Sequence, residues 1–208
     1  AKLGISNTTH VVVYDDVGGA IAARFWWMLR WVKHECVYIL DGGIQAWERK
    51  GLCLEKGQKA CKSTSFSIAS TRDEWVVGAE GVSRALAEGA VLLDARSEDR
   101  FSGKSEPIDP VSGHIPGAIN FPFTRSLDPL GRLRKSEALR EELLVYVDRE
   151  MNLISMCGSG VTACHLALAV KLAGFGDALV YIGSWSESIT DKNRGIAVGS
   201  EAESRRSK

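Results

Sequence analysis

The chain has 208 residues, 45% of them hydrophobic, and its 26 Lys and Arg balance its 26 Asp and Glu. That length suits one large or two small domains, and the zero formal net charge leaves no basic excess to draw nucleic acid. No run approaches the ~20 apolar residues of a membrane helix, no export leader opens the chain, and five cysteines without paired spacing lead us to expect a reducing, cytoplasmic setting.

Val11, Val12 and Val13, between His10 and Tyr14, form a β-branched run that predicts a buried strand. After a turn at 15–19, the spacing of Phe25, Trp26, Met28, Leu29 and Val32 predicts a helix over 20–33. A short strand over 36–40 runs into Asp41-Gly42-Gly43 and a short helix ending at Lys50. Residues 51–71 turn polar and small, and read as a linker with some extended structure near Phe66 and Ile68. Then come a helix over 82–88, a strand over 91–94, a short helix from Glu98, a long loop over 103–117 and an amphipathic helix over 136–148. A strand over 152–156 delivers Cys157, a helix follows over 162–172, a last strand covers 178–182, and 200–208 is a polar tail. Alternating strands and helices of this length predict an α/β fold with a parallel sheet covered on both faces.

The loop Met156-Cys157-Gly158-Ser159-Gly160-Val161-Thr162-Ala163 joins the strand to the helix. Gly158 and Gly160 can take positive φ, so the loop can curl around the sulfur. Converging N–H groups and the positive end of the following helix would then face it, and a thiol there should ionise more easily than at its ordinary ~8.5. Cys157 is therefore the candidate nucleophile, and Gly158, Ser159, Gly160, Val161 and Thr162 are the candidate anion cradle, with Thr162 also a candidate helix cap. Cys36, Cys53, Cys61 and Cys164 lack this setting and read as packing or surface residues. No cluster has metal-ligand spacing and no phosphate or dinucleotide fingerprint is present, so no metal or cofactor is expected.

The run Cys157-Gly158-Ser159-Gly160-Val161-Thr162-Ala163-Cys164 resembles the active-site loop of the two-domain rhodanese and 3-mercaptopyruvate sulfurtransferase family. Leu93-Asp94-Ala95-Arg96, Arg100-Phe101, Gly113-His114-Ile115-Pro116-Gly117-Ala118 and Gly183-Ser184-Trp185 carry the resemblance through nearly all of 72–199. It implies a rhodanese-like parallel sheet with helices on both faces: a partial inactive copy at 1–50, a linker at 51–71, a catalytic domain at 72–199 and a polar tail at 200–208. The halves echo one another, with Asp15 standing where Cys157 stands. The front of the first copy has no counterpart before Ala1, so the aspartate and histidine that assist the cysteine in mercaptopyruvate enzymes cannot be placed. A half-domain is expected to leave sheet edges and the aromatic surface around Trp26, Trp27 and Trp31 uncovered.

The activity implied is transfer of a sulfane sulfur from a small anionic donor, through a Cys157 persulfide, to cyanide or a thiol acceptor, thioredoxin-like proteins among them. Arg100 matches the family's anion-binding arginine, and a guanidinium suits a sulfonate or carboxylate; its plain alternative is a surface ion pair with Glu98 or Asp99. Arg96, Asp94 and His114 read as structural, and Gly113 to Gly117 as turn chemistry. A phosphatase on this fold would need an arginine six residues past the cysteine, where Ala163 stands. The mercaptopyruvate enzymes carry a second arginine shortly after a Glu-Pro pair. Here Glu106-Pro107 is followed by Ile108, so the reading favours thiosulfate, with mercaptopyruvate and a catalytically weak binding module as alternatives.

Overall fold

The structure, a computed structural model, describes residues 1–57, 60–148 and 151–199, so the tail 200–208 lies outside the described residues. Strands β1 (Val11–Val13) and β2 (Val37–Ile39) pair in parallel, Val12 opposite Tyr38, and are joined by helix α1 (Ala22–Trp31). Helix α2 (Gly43–Arg49) follows. A second, all-parallel sheet has the strand order β3-β7-β6-β4-β5, with β3 Val76–Val77, β4 Val91–Asp94, β5 Ile119–Asn120, β6 Leu153–Met156 and β7 Leu179–Tyr181. Its helices are α3 (Ala79–Ala87), α4 (Glu98–Phe101), α5 (Ser136–Leu143), α6 (Val161–Leu172) and α7 (Ser184–Ser188).

Side chains of the sheet alternate between two apolar layers, as the two-residue period of a strand requires. Leu93, Leu153 and Val180 pack with α5 and α6, whereas Leu92, Ile154, Met156 and Tyr181 pack with Val82 of α3 and Trp185 of α7. Every residue of α6 from Ala163 to Val170 is buried, because the sheet covers one side of the helix and α1 the other. A helix apolar on all sides needs cover on all sides. Here α1 supplies it, so the first fifty residues and the five-stranded sheet share one core.

That packing corrects one expectation. Trp26 and Trp27 are buried in the junction, and Trp31 is half-buried, its ring stacked on Trp27 with centroids 6.3 Å apart. Apolar residues left exposed in this part of the chain include Val12 and Tyr38, which pair across the two-stranded sheet, and Tyr14, Ile21 and Met28. Three smaller differences have local causes. The described part of 51–71 forms no strand: Ser67 bonds Asn7, and Thr64 bonds the Ile5 carbonyl, so this segment is tied to the N-terminal stretch by scattered side-chain bonds rather than a continuous backbone ladder. Helix α5 stops at Leu143, where a tight turn (Tyr146 N–H to the Leu143 carbonyl) drops Val147 into the core. Strands β3 and β5 have two residues each, too few to show a period, and exist through pairing with β7 and β4.

The topology also sets where chemistry can occur. From β4 the chain crosses outward to β5, and from β6 it crosses the other way to β7, although β4 and β6 are hydrogen-bonded neighbours. Loops leaving their carboxyl ends therefore diverge and open a crevice, the usual ligand position in such sheets. Cys157 follows β6 and Arg100 follows β4.

Candidate active site

Cys157 stands one residue past the central strand and is almost fully buried. Its backbone is held from both sides. The Cys157 N–H donates to Ser184 Oγ at 3.1 Å, and that hydroxyl donates to the Tyr181 carbonyl at 2.7 Å. Trp185 N–H donates to the Cys157 carbonyl at 3.1 Å, and Ser186 N–H to the Gly158 carbonyl at 2.9 Å. Ser184 reaches this position with φ +53°, unusual for a non-glycine residue.

The two loop glycines have different jobs. Gly160 caps α6 at φ +77°, and a Cβ there would run into the Ile182 carbonyl. Gly158 is outside the left-handed region, contrary to the expectation for it. Its bare Cα instead admits the Arg100 guanidinium, whose two terminal nitrogens lie 3.2 Å from where a Cβ would be. Ser159 is exposed at the crest of the loop, and Val161 and Thr162 are half-buried in the first turn of α6. Thr162 is not the helix cap: α6 already starts at Val161, and no side chain caps it.

Arg100 is thus beside the cysteine loop, and neither Glu98 nor Asp99 is its partner. Asp99 pairs with Lys104. Arg100 Nε lies 2.9 and 3.0 Å from the two Glu106 oxygens, and Nη2 lies 2.8 Å from Glu106 Oε1 and 3.0 Å from Asp109 Oδ2. Burial pushes the Glu106 carboxyl up, but the Arg100 guanidinium and the N–H groups of Asp109 and Ile108 outweigh it and hold the group below the ordinary carboxylate range. Ile108 itself is 73% exposed, so Asp109, not Ile108, faces Arg100. Arg96 is structural as expected: buried, it pairs with Asp94 at 2.6 Å, bonds the Gly113 carbonyl at 2.9 Å and lies over the Trp185 ring. His114 is buried too, stacked on Phe101 and bonded to its carbonyl at 2.8 Å. Its backbone pairs with Ala197, so this segment is an anchored bridge rather than a free turn.

The first half contains the same architecture with a carboxylate in place of sulfur. Ile44 N–H donates to the Asp15 carbonyl as Trp185 N–H does to that of Cys157, and Gly43 at φ +58° matches Ser184 at +53°. Asp15 accepts four backbone bonds: Val17 and Gly19 on Oδ1, Ile21 and Ala22 on Oδ2, at 2.7–3.0 Å. Burial raises this carboxyl, yet the four N–H groups together lower it below the ordinary aspartate value.

Cys164 lies in the helix that follows the Cys157 loop, its thiol pushed up to about 12 by burial even though Arg24 opposes the shift. Arg24, from α1, donates to the Gly160 carbonyl at 3.3 Å and to Cys164 Sγ at 3.6 Å, so the first half grips the second at the Cys157 loop. Arg24, Asp109, Ser184 and Ser186 also contact the Cys157 loop or Arg100, and the sequence motifs assign none of them to the site. Ser184 alone lay within a quoted motif; the others meet the loop only through tertiary contacts. Among the described residues no cluster of three His, Cys, Asp or Glu could hold a metal, and no helix is long and apolar enough to cross a membrane. A groove of about 380 Å³ between α3 and the segment 193–195 includes none of the cysteine-loop residues in its lining.

Comparison with known proteins matches this geometry. The rhodanese-like domain model matches residues 1–50 and 79–190. A probable 3-mercaptopyruvate sulfurtransferase of Pseudomonas aeruginosa is 43% identical over 94% of the chain and 70% of its own length. The 3-mercaptopyruvate sulfurtransferase of Mus musculus (39%) and the thiosulfate sulfurtransferase of Rattus norvegicus (37%) each match over 89% of the chain, which spans 64% and 65% of their lengths. Tum1 protein from Saccharomyces cerevisiae superposes with a TM-score of 0.85 at 26% identity, covering 96% of this chain and 73% of that one. With its cysteine loop at the centre of a parallel sheet and these relatives on both sides of the donor question, the chain belongs to the rhodanese-like domain family, among relatives named as sulfurtransferases.

Proposed function

We propose that the chain moves a sulfane sulfur from thiosulfate to cyanide or a thiol acceptor through a persulfide on Cys157. The observation that carries this reading is the position of Cys157 at the end of β6, in a backbone fixed by Gly160, Ser184 and Trp185, with Arg100 over Gly158. In the first step the Cys157 thiolate attacks the outer sulfur of thiosulfate. The donor S–S bond breaks, sulfite leaves with the electron pair, and a persulfide anion remains. Cyanide then attacks the terminal sulfur, thiocyanate departs, and the thiolate is restored. Negative charge resides on sulfur throughout, so the N–H groups of 158–162 and the Arg100 cation are the stabilising groups, with the exposed Ser159 hydroxyl able to meet the donor.

A second reading replaces thiosulfate by mercaptopyruvate. Its C–S bond breaks, and the carbon takes the electron pair and the thiol proton to leave as pyruvate. The names of the Pseudomonas and mouse relatives favour it. In either reading residues 1–50 act as a partial copy without a nucleophile, 51–71 as a linker and 72–199 as the catalytic unit. A thioredoxin-like acceptor and a cytoplasmic setting suit the free thiols of the described chain. The test is sulfite release from thiosulfate in the presence of cyanide. Cys157→Ser abolishes it, whereas Cys164→Ser, which removes a thiol held protonated, keeps most of it. Activity surviving in Cys157→Ser rules the mechanism out.

A further inference from the structure

An arginine holds a carboxylate or sulfonate best with two parallel N–H bonds along one edge of the guanidinium. Of the five N–H bonds of Arg100, the one on Nε is shared between the two Glu106 oxygens, and Nη2 donates to Asp109 Oδ2 while lying 2.8 Å from Glu106 Oε1. Nη1 has no protein partner among the described residues. The Nη1–Nη2 edge is the one lying against Gly158, next to the nucleophile. Half of the edge a donor would use is therefore already occupied by Asp109.

Asp109 is not a loose surface acid. Its side chain is 8% exposed, and Oδ1 accepts from Ser186 Oγ at 2.8 Å. That hydroxyl also lies 2.8 Å from the Gly158 carbonyl, to which the Ser186 N–H donates, so Asp109 is braced against the cysteine loop itself. The charge balance points the same way. Arg96 and Arg100 face Asp94, Glu106 and Asp109, five charged side chains none more than 17% exposed, with one negative charge in excess. An anionic donor approaching Arg100 meets a cation that its neighbours already over-neutralise.

We propose that Asp109 limits donor affinity: it competes for the Arg100 fork and leaves an incoming donor a one-point grip through Nη1. The carboxylate of mercaptopyruvate and the sulfonate-type head of thiosulfate both lose the two-point grip. This role rests on the sulfur-transfer reading and adds to it the residue that limits donor affinity. Asp109→Ala frees one Nη2 hydrogen and removes the excess charge, while Asp109→Asn removes the charge and keeps the shape. A regained charge-assisted bond is expected to lower KM for both thiosulfate and mercaptopyruvate by about tenfold or more in Asp109→Ala, and by less in Asp109→Asn. A brace needed only for structure would instead lower kcat and raise KM together in both variants, and that result overturns the proposal. Binding of sulfite, followed by tryptophan fluorescence in a Cys157→Ser background, separates affinity from turnover. Tighter sulfite binding on adding Asp109→Ala supports the competition; unchanged or weaker binding in a folded protein refutes it. Tighter sulfite binding in a protein that turns over neither donor keeps the role of Asp109 and discards the sulfur-transfer reading.

Discussion

Gly160 shows how much of the site hangs on a missing side chain. Its φ of +77° is one that an L-residue adopts at a cost of roughly 1–2 kcal/mol. The Ile182 carbonyl also occupies the space a Cβ would need, and this backbone atom cannot swing aside. Gly160→Ala is therefore expected to destabilise the fold by about 2 kcal/mol or more, with the urea midpoint falling to match. Gly158→Ala meets only the end of the Arg100 side chain at an ordinary φ, so its melt should stay near wild type while donor binding weakens. Equal melts for the two variants would contradict the distinction. From the sequence the two glycines look alike, and Cys157 is recognisable because a strand, a glycine pair and a helix start adjoin it. Asp109 and Ser186 are not recognisable, because their chemistry arises only when loops 77 residues apart in sequence close on one another.

At the level of elements, the packing of α1 on α6 joins the first half to the second, and a buried imidazole sits in it. His165 Nε2 lies 3.2 Å from the Gly18 carbonyl, so this nitrogen carries the proton, and the ring meets the edge of Phe123. Burial pulls its pKa down to about 4, against the opposing pull of the Gly18 carbonyl and of Asp15. The unfolded chain, with its histidine at about 6.5, binds more protons than the native state between these values. Stability should then be complete above about pH 6.5 and decline as pH falls toward 4, by up to about 3 kcal/mol at roughly 1.4 kcal/mol per unit. Urea melts at pH 7.5 and pH 5 test this: the midpoint drops at the lower pH, and His165→Gln flattens most of the difference. A midpoint equally pH-dependent in the variant would assign the effect elsewhere. The longer elements were legible from apolar spacing, and α6 stood out as an apolar run. Its partner α1 has helical apolar spacing too, but no periodicity says which helix will cover its tryptophans.

Taken whole, the molecule pairs two versions of one device. In the first, four N–H groups converge on the Asp15 carboxylate; in the second, the equivalent position carries a thiol, with the Arg100 guanidinium against the next residue, Gly158. The repeat was readable from strand, loop and helix order, but that both halves share one core, with Arg24 reaching from the first to the loop of the second, was not. A carboxylate already saturated by its own backbone cannot accept sulfur, so all sulfur chemistry should reside on Cys157. The most direct measurement is peptide mass spectrometry after treating the protein with thiosulfate and, separately, with mercaptopyruvate. The mass of one added sulfur atom should appear on the peptide carrying Cys157, stay absent from Cys36, Cys53, Cys61 and Cys164, and vanish on addition of cyanide. An unmodified Cys157 with both donors, or sulfur retained on another cysteine while Cys157 stays bare, would contradict the account.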